Sequence, residues 1–349
     1  MIIPVVIILA LSLAILGSIS LDLLFSQLLF LFFGLIVAVI SFRFYYLNHL
    51  VLTKLYYLLT LGLLLLPFVF GVVTRGSVRW IQLGNFTIQP SELIKPLLII
   101  IFAGFLSVKH SWSQPIQFIV YGLLVLLPAG LIYFQPDLGS TLVVLAIWLG
   151  MLLASDWPWF YPFSLIIAGA AFIPLAIKFL HPYQQQRLLT FLNPYQQAGS
   201  SGYQVIQSLV AIGSGGFFGR GLGQGIQLQL QFLPESHTDF IFAALAEELG
   251  FVGSCVLILA YFWLLKYLLT LASQAPDKFG YLVVMGSFFM LSFQIIVNLG
   301  MNLGILPVTG ITLPLASGGG SSLLSVMFCL GLVANIESHH SVKTPLAIK

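Results

Sequence analysis

IIPVVIILALSLAILGSIS at residues 2–20, followed directly by LDLLFSQLLFLFFGLIVAVISF at 21–42, is the stretch whose reading decides the fold. Asp22 is the sole charged side chain in it. Each half supplies the ~20 apolar residues with which an α-helix crosses a hydrocarbon core ~30 Å thick. Ile2 to Ser18 lacks the basic leading segment of a secretory signal, and a second apolar run follows at once. It therefore reads as a first membrane helix at 2–20, with a second at 22–42. Further apolar runs predict helices over 50–72, 93–107, 116–134, 139–155, 159–180, 240–272, 280–300 and 321–336, the fourth and sixth spans short enough to be partly re-entrant. The expected fold class is an all-α integral membrane protein of about ten transmembrane helices, one polytopic membrane domain over residues 1–349.

Composition excludes the alternatives. Apolar residues make up 59% of the chain and charged residues 7%, and the mean hydropathy is +1.07. A soluble domain carries roughly 25% charged residues, so this chain lacks the polar surface to face water. The net charge of +3 is small and dispersed, which argues against a nucleic-acid partner. Cys255 and Cys329 lie inside apolar runs and read as small core hydrophobes rather than a disulfide or metal site.

An even number of spans puts both termini on one side. If that side is cytoplasmic, the inner loops and helix ends hold Arg43, Lys54, Lys109, Lys266, Lys278, Lys343 and Lys349. The outer side holds Arg75, Arg79, Lys95, Lys178, Arg187 and Arg220. These six fall in or beside the two longest non-helical segments, 73–92 and 181–239, and long loops cross largely regardless of charge. Both termini are therefore expected in the cytoplasm, with a large extracytoplasmic loop between helices 7 and 8. The outer loops are long and rich in Gly, Pro, Gln, Arg and acids, and function tends to sit on loops held by a rigid scaffold. The absence of an internal repeat and of paired broken helices weighs against an inverted-repeat transporter.

Four constellations lie on or near that face. Gly76-Ser77-Val78-Arg79-Trp80-Ile81-Gln82-Leu83-Gly84 leads into Gln89-Pro90-Ser91-Glu92-Leu93-Ile94-Lys95-Pro96. Pro90 suits the first turn of a helix, and Glu92 and Lys95, three apart, can pair on one face. One reading is an ordinary interfacial helix start, with Trp80 as a belt aromatic and Lys95 snorkelling outward. The other is a polar cavity, because two charges at the mouth of a span are expensive in lipid. Gln135-Pro136-Asp137-Leu138-Gly139-Ser140 reads as a turn with Asp137 capping the next helix. The segment from His181 to Asp239 contains Arg187, Phe191-Leu192-Asn193-Pro194 and Gly202-Tyr203-Gln204, then seven glycines between Gly213 and Gly225. Those glycines suit tight turns and close backbone packing rather than dinucleotide binding, since no strand context surrounds them. Leu233-Pro234-Glu235-Ser236-His237-Thr238-Asp239-Phe240 then runs into a helix with Glu247 and Glu248 two turns inside, where acids mark functional cavities. Thr238 or Asp239 can equally serve as that helix's cap. His237 with Glu235 or Asp239 offers weak support for a hard divalent cation, and no zinc-type spacing exists.

Nearer the C-terminus, Leu306-Pro307-Val308-Thr309-Gly310, Leu313-Pro314-Leu315 and Ser317-Gly318-Gly319-Gly320-Ser321-Ser322 form irregular backbone at membrane depth. Such backbone is tolerated only when buried in protein or lining a wet cavity. Its glycines admit a ligand closely, and its hydroxyls, Ser321 among them, can donate hydrogen bonds.

Together these segments resemble the SEDS family (shape, elongation, division and sporulation) and its RodA/FtsW-type motifs. The likeness runs in the family's order from Gly76 to Ser322 through RWI…LG…QPSELxK, QPDLG, FLNP…GYQ…QS, LPESHTDFIFA…EELG and LPVTG…LP…SGGGSS. The compact termini look more like the RodA branch. The resemblance implies a peptidoglycan glycosyltransferase of the bacterial cytoplasmic membrane. Such an enzyme would polymerise lipid II, a disaccharide-pentapeptide on undecaprenyl pyrophosphate, at the outer leaflet beside a class B penicillin-binding transpeptidase. It carries the family's catalytic carboxylate onto Asp239, as general base, and Glu92 and Lys95 over as a paired polar site in the same cavity. Arg79, Arg187 and Arg75 are candidates for the pyrophosphate, since a guanidinium fork suits phosphate oxygens. Trp80, His237, Glu235 and Ser321 complete the expected substrate-binding set. A lipid II flippase is the alternative: it needs a polar cavity and a lipid gate but no proton acceptor. A solute transporter would want midplane charges that the spans lack.

Overall fold

The structure, a computed structural model, describes residues 1–74, 77–84, 86–108, 110–179, 182–192 and 201–340. Each of the ten expected spans is matched by one helix. They are α1 (Ile2–Ile19), α2 (Leu21–Arg43), α4 (Thr53–Phe70), α5 (Pro90–Ser107), α6 (Gln114–Phe134), α7 (Leu138–Ala154), α8 (Phe160–Phe179), α12 (Ile241–Ser273), α13 (Lys278–Asn302) and α14 (Gly320–His340). Eight are long and apolar enough to cross a membrane, while α7 and the apolar part of α8, Phe160–Ala171, are shorter. The protein is thus a helical, multi-span membrane protein.

Between the spans lie elements that apolar runs do not announce. A short helix, α3 (Tyr46–Val51), precedes α4. Strands β1 (Val72–Thr74), β2 (Ser77–Leu83) and β3 (Phe86–Ile88) form an antiparallel sheet in the order β1-β2-β3, with a register irregularity at Val72/Val73. The long segment before α12 contains α9 (Pro182–Leu192), α10 (Ser201–Ser214) and α11 (Ile226–Gln229).

The described residues divide into two compact units. One lies within residues 1–31, 166–265 and 291–323; the other lies within 32–165, 266–290 and 324–349.

In the second unit α5 is almost wholly buried, whereas α4 is largely exposed. Small residues let helices close up there. A Cβ on Gly150 of α7 would overlap the ring of Phe289, and one on Gly331 of α14 would overlap the Ala38 carbonyl of α2. Such sites replace the hydrophobic drive, which lipid abolishes between helices, with contact area. Tyr121 and Trp148 settle their polar tips reciprocally: the Tyr121 hydroxyl donates to the Trp148 carbonyl at 3.0 Å, and the Trp148 indole donates to the Tyr121 carbonyl at 3.2 Å. Gln135 Nε2 donates to the Leu64 carbonyl at 2.6 Å, tying the end of α6 to α4.

In the first unit Val205, Ala211, Leu233, Phe240, Ala243, Met301 and Val308 form an apolar core. It packs α10 against the 233–240 turn, the start of α12 and the end of α13. The acids Glu247 and Glu248, expected to mark a cavity, are buried, and they hold the loop that precedes their helix. Glu247 Oε1 accepts the Gln227 amide at 2.9 Å, and Glu248 Oε1 accepts the Gly223 amide at 3.0 Å. Glu248 Oε2 accepts the Ser18 hydroxyl at 2.5 Å. The glycine-dense loop is therefore fastened onto α12, which breaks at Gly250 with φ +66°. Gly219, itself at φ +82°, meets Gly250 so closely that neither position has room for a Cβ. That is the close backbone packing the glycines led one to expect.

Candidate active site

The 233–240 turn brings Asp239 to the mouth of α12, and three successive carbonyls in it are held from other segments. The His237 carbonyl accepts the Gly318 amide at 2.7 Å. The Thr238 carbonyl accepts the Ser317 hydroxyl at 2.6 Å. The Asp239 carbonyl accepts the side-chain amides of both Asn298 and Asn302 at 3.0 Å. Asn302 Oδ1 in turn accepts the Ala243 amide at 3.1 Å, one of the donors that a helix start leaves without an intrahelical partner. A residue of α13 thus satisfies one donor at the start of α12.

Glu235 sits at φ +58°. Its carbonyl accepts the amides of Thr238 and Phe240 at 3.1 and 3.2 Å, and its Oε2 accepts the Thr238 hydroxyl at 3.1 Å. Glu235, a residue expected to bind substrate, also shapes the turn that presents Asp239. Arg187 of α9 donates from Nη1 to the Val308 carbonyl at 3.2 Å. A Cβ built on Gly310 would lie 3.8 Å from Arg187 Nη1 and 3.7 Å from Asp239 Oδ2. The guanidinium and the carboxylate therefore border one space, kept open by a glycine whose φ of +76° disfavours any side chain. Ser321 is buried at the start of α14, and its neighbour Ser322 accepts the Thr312 hydroxyl at 2.9 Å.

In the other unit, Lys95 Nζ stands 2.6 Å from Glu92 Oε1, with Lys95 1% and Glu92 10% exposed by side chain. This is the buried pair of the cavity reading, not a lysine snorkelling to the interface. Glu92 Oε2 has no hydrogen-bond partner among the described residues. Arg79 and Trp80 are adjacent on β2, so they point to opposite faces of the strand. Arg79 Nη1 lies 3.3 Å from Asp137 Oδ1. Asp137 does cap α7, accepting the Ser140 amide at 3.2 Å. It also accepts Gln89 Nε2 at 2.6 Å and the Ser91 hydroxyl at 3.0 Å on Oδ2. Four donors nearly saturate a carboxylate. Asp137 thereby locks β2 and the first turn of α5, on which Glu92 and Lys95 stand.

Arg75 lies outside the described residues, as do Asn193 and Pro194 of the FLNP motif. Among the described residues no three His, Cys, Asp or Glu side chains gather as metal ligands. Sequence reading missed Asn298 and Asn302; the one available signal was two asparagines four apart in an apolar helix.

A multi-span membrane protein with one buried ion pair and one braced, half-buried carboxylate beside a guanidinium has the parts of an enzyme acting on an anionic substrate. The chain belongs to the FtsW/RodA/SpoVE family of cell cycle proteins, whose family model matches residues 1–342. It is 39% identical over 287 residues to the peptidoglycan glycosyltransferase MrdB of Escherichia coli K12, covering 82% of this chain and 78% of that one. It is 41% identical over 300 residues to the probable peptidoglycan glycosyltransferase FtsW of Thioalkalivibrio sulfidiphilus, covering 84% and 73%. A chain from a peptidoglycan synthase complex, solved to explain how polymerization and crosslinking are coordinated, superposes with a TM-score of 0.84 at 36% identity over 97% of both chains. The rod shape determining protein RodA of Thermus thermophilus gives 0.73 at 32% identity, over 97% of this chain and 95% of that one.

Proposed function

We propose that Asp239 is the general base of this chain's reaction. The chain is a peptidoglycan glycosyltransferase of the bacterial cytoplasmic membrane, as its relatives are named. It acts on lipid II and works beside a class B penicillin-binding protein, in keeping with the synthase complex it resembles. Its closeness to MrdB and RodA favours the elongation branch. Both termini are cytoplasmic on this reading, all ten helices span, and residues 1–349 act as one polytopic domain. The segments 73–92 and 181–239 then face outward.

The acceptor's sugar hydroxyl attacks the anomeric carbon of the donor and gives its proton to the Asp239 carboxylate. The bond from that carbon to the pyrophosphate oxygen breaks, and the electron pair leaves with the oxygen. Attack opposite the leaving group converts an α link to a β link in one displacement, without a covalent enzyme intermediate. Arg187 stabilises the negative charge on the departing pyrophosphate. Glu92 and Lys95 form a second polar contact for substrate; Trp80, His237, Glu235 and Ser321 are further substrate-binding residues, with Arg75 as a further phosphate ligand. Arg79 is engaged by Asp137 and acts by bracing β2.

The observation that carries the assignment is the bracing of residues 237–239 through their carbonyls. It fixes the main chain at Asp239, whose carboxylate borders the space at Gly310 together with the Arg187 guanidinium. The test is purified protein with labelled lipid II in detergent, scored for glycan chains, alongside lipid II transbilayer movement in vesicles. Glycan chains are expected. Movement without polymer would favour the flippase and overturn the proposal.

A further inference from the structure

A groove at the far end of α5 from Glu92 and Lys95 plays no part in the reaction above. Its volume is about 510 Å³, within the ~300–1,000 Å³ of small-molecule sites. The walls come from α4, α5 and α6, with Leu58, Ile101, Phe105 and Leu124 on them. Gly104 belongs to the wall where α5 meets α4, and a Cβ there would stand 2.6 Å from Thr53 Cγ2. At one end the lining turns polar, with Lys54, Tyr57 and His110.

These features together specify an occupant. An apolar groove opening to lipid stays dry, so a hydrocarbon chain fills it. Leu58 and Val108, which line it, are 68% and 47% exposed, so the opening faces the surrounding lipid. The polar end is built for a headgroup. The His110 ring is stacked between Phe105 at 4.5 Å and Trp112 at 5.5 Å, and its Nε2 lies 3.0 Å from the Phe105 carbonyl. Trp112 and Tyr57 are the amphipathic aromatics that settle at headgroup depth. Lys54 is exposed and forms no ion pair among the described residues, and no acid lines the groove. An ammonium at headgroup depth without a protein anion is complementary to lipid phosphate.

We propose that this groove binds one anionic phospholipid, its chain held between α4, α5 and α6 and its phosphate at Lys54 and His110. On the orientation proposed above, the site draws from the cytoplasmic leaflet. That placement rests on the orientation, whereas binding itself does not, and the test below is independent of it.

The full chain in neutral detergent is titrated with dioleoyl phosphatidylglycerol, with phosphatidylcholine of the same chains, and with inorganic phosphate. Bound lipid is counted by native mass spectrometry, and thermal unfolding is followed in parallel. One phosphatidylglycerol per chain is expected to be retained in preference to phosphatidylcholine and to raise the unfolding temperature, with phosphate inert. Removing one basic group near a lipid surface weakens anionic binding by about fivefold. Lys54→Gln should show that loss for phosphatidylglycerol and none for phosphatidylcholine. Leu124→Trp, which fills the groove, should displace both lipids. Equal retention of the two lipids, or Lys54→Gln binding phosphatidylglycerol as tightly as the parent, overturns the proposal. Lys54 is exposed, so its replacement leaves the packing intact and decides the matter even if Leu124→Trp fails to fold.

Discussion

Asp137 and Asp239 occupy turns that look alike on paper, each a short polar stretch with a proline that leads into an apolar helix. Their surroundings are opposite. Asp137 is held through its carboxylate, which takes the Ser140 amide, the Arg79 guanidinium, the Gln89 amide and the Ser91 hydroxyl. Asp239 is held through its backbone, with Asn298 and Asn302 on its own carbonyl and Ser317 and Gly318 on the two before it. A carboxylate whose lone pairs are filled by the fold has little left to offer a substrate. One whose main chain is pinned by neighbours is positioned by contacts that do not draw on its carboxylate. Asp137 is also the more buried of the two.

The largest expected effect comes from Asp239→Asn. It preserves shape and all the backbone contacts, so the unfolding temperature and lipid II binding should stay near those of the parent. Polymerisation should fall by ~10²–10⁴-fold with the loss of the proton acceptor. Near-parental turnover would dissolve the contrast. Asp137→Asn should do the reverse. Removing the charge opposite Arg79, which is itself 24% exposed, should cost on the order of 2 kcal/mol in chemical-denaturant unfolding. Activity per folded molecule should stay within a few-fold. A stable Asp137→Asn protein with no activity would make that residue catalytic after all.

Asn302→Ala sharpens the backbone side of the comparison. It deletes the amide bracing Asp239 and the oxygen capping Ala243, a loss of about 1–2 kcal/mol of stability. Because the carboxylate survives but drifts, kcat should fall roughly tenfold while KM for lipid II changes little. A matching rise in KM would indicate a binding role instead.

The smallest effect concerns a buried group that is neither saturated nor braced. His49 on α3 contacts the Tyr56 hydroxyl at 2.8 Å through Nδ1, and its Nε2 has no partner among the described residues. Burial lowers its pKa to about 4. The unfolded chain therefore takes up this proton first, at its ordinary value near 6.5. Stability from the neutral ring is present above pH 6.5 and is lost as pH falls toward 4. Between pH 7 and 5.5 the loss should be roughly 1 kcal/mol after allowance for solvent screening. His49→Phe should flatten that part of the pH–stability curve, and an unchanged slope would count against the assignment.

The ten apolar helices were legible because lipid imposes a length and an apolarity that few other structures need. The pairing of Glu92 with Lys95 was legible because it is local, three residues apart on one helix. What stayed hidden depends on partners distant in sequence. Asp137 could be read as a cap from Ser140, but Arg79, Gln89 and Ser91 reach it across 46 to 58 residues. Asn298 and Asn302 gave no sign of their target, 59 and 63 residues upstream. The sheet at 72–88 was invisible because its strands are short and were read as loop. The hold of Glu247 and Glu248 on the glycine-dense loop was equally hidden, because the amides they accept lie 20 and 25 residues upstream.

The break in α12 bears on where this chain tolerates engineering. Beyond Gly250 the amides of Phe251 and Val252 donate to the carbonyls of Gly216 and Phe217, while those of Arg220 and Gly221 donate to the carbonyls of Glu247 and Glu248. The loop thus stands in for the missing turn of the helix, and each completes the other's hydrogen bonding. Surface loops are ordinarily where tags, inserted domains and new termini are accepted. Residues 216–223 should refuse them. A single added residue would shift the loop out of step with the helix and leave four backbone amides at the break without acceptors. Labels meant for this long segment belong instead at exposed positions past the clasp, such as Gln229 or Gln231.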